Sequence, residues 1–227
     1  EIRRVPVSIQ SGAPGGYYQG PPLDGSRPGA YYINLRDTAE WPKYTLPTLT
    51  YHESVPGHHL QGTLAIENPG IPTIRKFLNF GAFTEGWGLY AEQLADEMGM
   101  YQGDPYGELG YLQSLLFRSS RLVVDTGLHA KRWSREQAIQ YMVETGGDEE
   151  GSMTTEVERY CVWPGQATGY KVGHTRWVEA RSRAQQALGP KFDFRRFHDA
   201  TLLSGAMPLT LLDRVVDDWT KAEAART

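Results

Sequence analysis

The segment Tyr51-His-Glu-Ser-Val-Pro-Gly-His-His-Leu-Gln61 restricts the fold of this chain more than any other. It sets imidazoles and a carboxylate into a helical stretch, then breaks that stretch with Pro56-Gly57. A proline inside a helix withholds a backbone donor and clashes with the preceding turn, and glycine is a poor helix former. The backbone between His52 and the next histidines must therefore bulge or kink. On a regular helix, i+7 nearly eclipses i, whereas i+6 lies about 120° away. Regular geometry favours His59 as the partner of His52, while a bulge that absorbs two residues favours His58.

The residue types point to metal-assisted hydrolysis. Zinc with three protein ligands keeps a fourth position for water, lowers the pKa of that water to about 7, and lets a nearby carboxylate take its proton. Glu53 is that carboxylate. A third ligand is expected from Phe83-Thr-Glu-Gly-Trp-Gly-Leu-Tyr-Ala-Glu92, where Glu85 and Glu92 stand at i and i+7 on one helix face. Trp87, Tyr90, Ala91, Leu94 and Met98 take the other face. An amphipathic helix with a solvated acidic face is the plain alternative. Against it, Gly86 and Gly88 flank Trp87, which is costly in a helix unless something approaches closely, and apolar Leu89 lies between the glutamates.

His52-Glu-x-x-Pro-Gly-His-His-Leu-Gln61 and Glu85-Gly-Trp-x-Leu-Tyr-x-Glu92 together resemble the signature of the bacterial domain of unknown function 885 family. The C-terminal half of that family is similar to gluzincin-type zinc peptidases. The resemblance continues through Arg121-Leu-Val-Val-Asp-Thr-Gly-Leu-His129, Arg159-Tyr-Cys-Val-Trp-Pro-Gly-Gln166 with Tyr170, and Phe197-His-Asp199 followed by Gly205 and Pro208-Leu209. Comparison with the carboxypeptidase Taq and thimet oligopeptidase families, whose helix reads His-Glu-x-Gly-His, implies a match at Gly57-His58. It thus implies His52, His58 and Glu85 as ligands of one Zn²⁺, with Glu92 orienting a ligating imidazole. Another divalent metal is compatible with the same donors. The resemblance further implies a peptide or small amide substrate, with Glu53 as general base. It also implies that the chain is the C-terminal catalytic region of a longer bacterial protein, whose N-terminal region, or a second chain, completes the cleft. Export with a signal segment outside this chain fits that picture.

Composition narrows the remaining classes. With 227 residues, 40% of them hydrophobic, and a net charge of −4, the chain reads as a soluble protein with no basic surface for nucleic acid. No apolar run approaches the roughly 18 residues needed to span a membrane. The lone Cys161 excludes an intrachain disulfide or a thiolate cluster and is read as a small buried apolar residue.

The expected fold is mainly α with a small antiparallel β-sheet near the N-terminus (α+β), a zincin-like catalytic region forming one unit over 1–227. Residues 1–46 supply strands and a Gly/Pro-rich loop at 11–30, and 47–227 supply helices and the metal site. Residues 5–10 and 30–35 are the expected strands, placing Tyr31, Tyr32 and Asn34 as candidates to line the cleft. Helices are expected near 48–66, 71–79, 84–98, 105–131, 134–145, 153–161, 165–187, 193–203 and 208–224. Ser134 with Gln137 marks a capping start. Leu209, Leu212, Val215, Val216 and Trp219 mark a core face.

Arg121, Asp125 and His129 recur every four residues along one helix side. They read either as surface ion pairs or as a buried network, with Arg121 as an anion clamp for substrate carboxylate. Arg159 and Gln166 join the substrate-binding candidates, with His59 beside them. Pro164 suits the first turn of a helix on which Gln166 and Tyr170 would share a face, and Tyr170 is the candidate oxyanion donor. His174 and His198 are expected to be structural, the latter bonding near Asp199. Two other functions fit the same residues: a catalytically silent zinc module, closed by a fourth side chain such as His59, and a zinc amidohydrolase or esterase acting on non-peptide substrates.

Overall fold

A computed structural model describes residues 1–40 and 42–226. Ten α-helices and a small sheet are formed among the described residues. The sheet has β1 (Ile2–Arg4), β2 (Gly16–Gln19) and β3 (Ala30–Ile33) in the order β1-β3-β2. It is mixed, not antiparallel as expected: β1 runs parallel to β3, and β2 runs antiparallel to it. The expected 11–30 loop contains β2, whose Tyr17 stacks on Tyr32 of β3 with ring centroids 5.0 Å apart. Residues 7–9, expected to be strand, form a 3-10 turn after Pro6, because proline fixes φ and gives no ladder donor.

The helices are α1 (Leu46–Glu53), α2 (His58–Glu67), α3 (Thr73–Phe77), α4 (Gly81–Glu97) and α5 (Pro105–Lys131). They continue as α6 (Arg135–Gly146), α7 (Glu150–Val162), α8 (Gly169–Leu188), α9 (Phe194–Leu202) and α10 (Leu209–Ala224). Their ends carry the expected signals. Asp104 caps α5 by accepting from Gly107 N at 3.0 Å, and Ser134 caps α6 by accepting from Gln137 N at 3.1 Å. No helix among the described residues is long and apolar enough to cross a membrane.

Two apolar cores flank α1 and the cleft. In the first, Phe83, Trp87, Tyr90 and Leu94 of α4 pack on Trp177 and Ala180 of α8, with α9 and α10 behind. A Cβ on Gly86 would fall 2.5 Å from the Gly173 backbone, so glycine at both positions lets α4 and α8 cross in close contact. Burying each of Trp87 and Trp177 contributes on the order of 2–3 kcal/mol. Met98, expected on this face, is exposed instead, because α4 ends at Glu97. Leu212 and Val216 are core residues, while Leu209, Val215 and Trp219 pack at its margin. The second core joins Val124 of α5, Ile139 and Met142 of α6, and Met153, Val157 and Tyr160 of α7.

Candidate metal centre

The break in the histidine segment has a defined form. Helix α1 ends at Glu53, a cis Val55-Pro56 peptide follows, and α2 restarts at His58. The Ser54 carbonyl accepts His59 N–H at 3.1 Å, and Trp87 of α4 donates its indole N–H to the Pro56 carbonyl at 2.9 Å. The insertion is thus absorbed between the helices, and His58 swings onto His52, their rings 4.7 Å apart and nearly perpendicular.

His52, His58 and Glu85 each offer one ligand atom, and the three atoms all lie within 4.8 Å of one another. Glu85 Oε2 is 3.5 Å from His52 Nε2 and 3.2 Å from His58 Nε2. Zinc bonds of about 2.0–2.2 Å at tetrahedral angles separate neighbouring ligand atoms by about 3.3–3.5 Å, so this donor set fits such an ion. His59 is directed elsewhere, its Nδ1 sharing a hydrogen bond with the Tyr18 hydroxyl of β2 at 2.9 Å.

Glu92 stands two turns along α4 from Glu85, and His52 fills the space between them. The His52 Nδ1–H donates to Glu92 Oε1 at 2.8 Å, which leaves Nε2 as the lone-pair nitrogen facing Glu85. Glu92 is 0% exposed, and its other oxygen accepts from Thr48 Oγ1 at 2.6 Å and from Ser114 Oγ. Burial would raise the Glu92 carboxyl, but Arg118 and His52 outweigh it and hold the group down at about 2. His58 is likewise disfavoured as a cation by burial, yet Glu85 and then Glu53 raise it to about 9. Glu85 is pulled well below the carboxylate range, chiefly by His58 against its own burial. Glu85 and Glu53 thus favour positive charge beside His58. Gly88 makes the approach possible: a Cβ there would sit 2.6 Å from His52 Cε1.

Glu53 is 5% exposed, and its Oε2 is buried without a hydrogen-bond partner among the described residues. His52, Glu53, His58, Glu85 and Tyr170 all line one cleft of about 1010 Å³. Tyr170 stacks over His52 with ring centroids 6.0 Å apart, and the Arg121 guanidinium carbon lies 4.6 Å from the centre of the Tyr170 ring. Burial and then Glu85 raise the Tyr170 hydroxyl, against the arginines, so it remains a neutral donor.

The other candidates are divided. Arg121 donates Nε to the Tyr160 hydroxyl and Nη2 to Glu156, each at 2.8 Å, in place of any pairing with Asp125. Asp125 accepts Gly165 N–H with both oxygens at 3.0 Å, and His129 Nε2 bonds the Tyr160 carbonyl at 3.0 Å. Arg121 and Asp125 are therefore buried while His129 is exposed, and all three brace α7 and the turn before Tyr170, leaving α1 to Glu92. Arg159 donates to Glu156 and to Gln166 Oε1, each at 2.8 Å, and both Arg159 and Gln166 line the cleft. Gln166 and Tyr170 do not share a helix face: residues 163–168 form turns around Gly165 at φ +82°, and α8 begins only at Gly169. Asn34 lines the cleft together with Tyr17 and Tyr18 of β2, whereas Tyr31 is buried and Tyr32 is occupied by its stack on Tyr17. Cys161 is exposed, contrary to its expected burial, because it faces away from the α7 core. His198 bonds the Tyr90 hydroxyl at 3.1 Å, not a group near Asp199, and His174 donates to Gln93 at 2.7 Å.

Sequence reasoning passed over Arg118, Thr48, Ser114 and Glu156. Arg118 and Thr48 carried a usable signal, standing three residues before Arg121 and four before His52. Glu156 carried none, since only the docking of α7 on α5 brings it to the arginines.

Two solved structures share this arrangement of the chain. One, named a "putative lipoprotein", is from Colwellia psychrerythraea; it is 53% identical over 98% of this chain, with a TM-score of 0.95. The other, named a "putative lipoprotein of unknown function", is from Shewanella oneidensis; it is 24% identical over 94% of the chain, with a TM-score of 0.79, and speaks for the fold alone. The chain spans only 38% and 39% of those two proteins. No curated protein matches it. The family described as "Bacterial protein of unknown function (DUF885)" matches residues 1–216, and the chain belongs to that family.

Proposed function

We propose that the chain carries the metal centre of a zinc-dependent hydrolase that cleaves peptide or related amide bonds. The reading rests on one observation: His52, His58 and Glu85 converge at a cleft wall beside a buried, unpartnered Glu53 oxygen. The resemblance of its motifs to gluzincin-type peptidases supports it. Bound zinc would supply Lewis acidity and a water acidified to a pKa of about 7. Glu53 takes the proton of the attacking water and passes it to the leaving nitrogen. Tyr170 makes no hydrogen bond of its own among the described residues, and it donates its hydroxyl to the developing oxyanion. Glu92 holds the His52 ring and its tautomer fixed throughout. A silent structural site would need a fourth protein ligand, and the bond of His59 to Tyr18 removes the sequence's nearest candidate. The lipoprotein name of the Colwellia psychrerythraea relative supports action in the bacterial envelope.

The test is a turnover assay on a peptide library with the zinc-loaded, full-length protein. Glu53→Gln should keep one zinc and lose about 10²–10⁴-fold in turnover, the range for general base removal. His58→Ala should lose zinc, and His59→Ala should retain it. Undiminished turnover in Glu53→Gln, or the reverse pattern in the histidine variants, overturns the assignment.

A further inference from the structure

We propose that Arg118, Arg121 and Arg159 form a carboxylate-binding subsite in the cleft, so that the substrate is a short peptide-like molecule anchored by its own negative charge. This inference rests on the hydrolase reading for what happens to the substrate, though the binding itself needs no metal. All three side chains line the cleft. Arg121 is 5% exposed and Arg118 8% exposed, and buried guanidinium groups persist only where paired and hydrogen-bonded. The pairing present is incomplete. Glu156 serves both Arg121 and Arg159 through a single oxygen, Oε2, which also accepts the Tyr160 hydroxyl. Arg118 comes no nearer than 3.6 Å to Glu92, whose oxygens are already engaged by His52, Thr48 and Ser114. Asp148 lies in the same cleft, bonded to Gln113, and pairs with none of the three arginines.

Each arginine keeps one buried nitrogen without a partner among the described residues: Nε of Arg118, Nη1 of Arg121 and Nε of Arg159. The Arg121 guanidinium carbon also lies 4.3 Å from the centre of the Phe117 ring and 4.6 Å from that of Tyr170, contacts that hold it in place while its Nη1 stays unpaired. Three guanidinium groups that each keep an unsatisfied N–H at one cleft are suited to a carboxylate, whose two oxygens accept from several donors and whose charge they match, more than to a neutral amide.

Position sets the length of the substrate. The Tyr170 ring lies 6.0 Å from the His52 ring and 4.6 Å from the Arg121 guanidinium carbon, which places the guanidinium within about 11 Å of the His52 ring. An extended residue spans about 3.3–3.6 Å, so a carboxylate held there belongs to a residue no more than about three positions from a carbonyl at the metal centre.

The experiment compares blocked peptides of two to four residues as free acids and as C-terminal amides, each with a neutral or an acidic side chain. Binding to the metal-free, full-length protein is read by calorimetry, and turnover is read with zinc. A free acid should bind about 10- to 100-fold more tightly than its amide, the range for a hydrogen bond to a charged group. Preference for the acidic side chain, indifferent to the terminus, would place the recognised carboxylate on the side chain. Equal binding of all four forms overturns the subsite. Arg118→Gln and Arg159→Gln should each reduce the ratio of acid to amide affinity, and they guard against the chance that Arg121→Gln fails to fold. Equal loss for acid and amide contradicts the proposal. Selective binding without turnover would leave the subsite standing and refute the hydrolase reading. Turnover without selectivity would do the opposite.

Discussion

Gly88→Ala is the smallest change that should dismantle the proposed metal centre while sparing the fold. The added methyl carbon would lie 2.6 Å from His52 Cε1 and 2.7 Å from Nε2, whereas ordinary contacts begin at 3.4 Å. The ring must therefore retreat by about 0.8 Å, several times the roughly 0.2 Å within which metal–ligand distances are held. Retreat also strains the 2.8 Å bond to Glu92, which is buried and cannot follow. Zinc affinity should fall by about 100-fold or more, the upper end of what loss of ligand support costs. The helix itself gains, because alanine exceeds glycine in helix propensity by about 1 kcal/mol. The metal-free variant should then melt within a few degrees of the parent, while chelator competition shows the loss of affinity. Gly81→Ala, in the first turn of α4 with nothing within 4 Å of its added carbon, is the matched control and should bind zinc normally. Parental zinc affinity in Gly88→Ala would refute the placement of His52 against α4.

Glu92→Gln keeps the shape but removes the charge, and its amide nitrogen cannot accept from Thr48, Ser114 or His52. Zinc affinity should drop by about 10- to 100-fold in chelator competition, with a stability loss on the order of 1–3 kcal/mol in denaturant melts of the metal-free protein. Glu156 tests the acid limb of stability. Burial alone would raise its carboxyl, but Arg121 and Arg159 hold it at about 2 in the folded state. A depressed carboxyl contributes stability that is complete above the unfolded pKa of about 4.3 and is lost as pH falls toward 2. Denaturant melts at pH 5 and pH 2 should therefore show the parent losing roughly 2–3 kcal/mol more than Glu156→Gln over that range, the remaining loss in both coming from other depressed carboxylates such as Glu92; equal losses would exclude the pairing.

Much of the centre could be read from local spacing, because helices convert sequence distance into direction. The i and i+7 glutamates of α4 do face one neighbour, and the glycines around Trp87 do mark close approaches, Gly86 to α8 and Gly88 to His52. The helix bounds from α4 to α6 and at α10 fall within three residues of the expectation, since glycine, proline and capping residues punctuate them. What escaped was non-local. Strand β2 lies within a Gly/Pro-rich stretch that carries little β pattern, and its pairing depends on β3. The row Arg121, Asp125, His129 has the spacing of a helix-surface ion pair, yet each member finds its partner on α7 or the following turn. His58 against His59 could not be decided by regular helix geometry, because the break at Pro56-Gly57 abolishes regularity where the choice is made.

The most direct test of the metal centre is anomalous diffraction at the zinc edge from crystals of the zinc-loaded, full-length protein. The account predicts one peak about 2.0–2.2 Å from His52 Nε2, His58 Nε2 and Glu85 Oε2, with the fourth side open to the cleft next to Glu53. A peak bound by His59, a fourth protein ligand closing the site, or no peak at this position would contradict it.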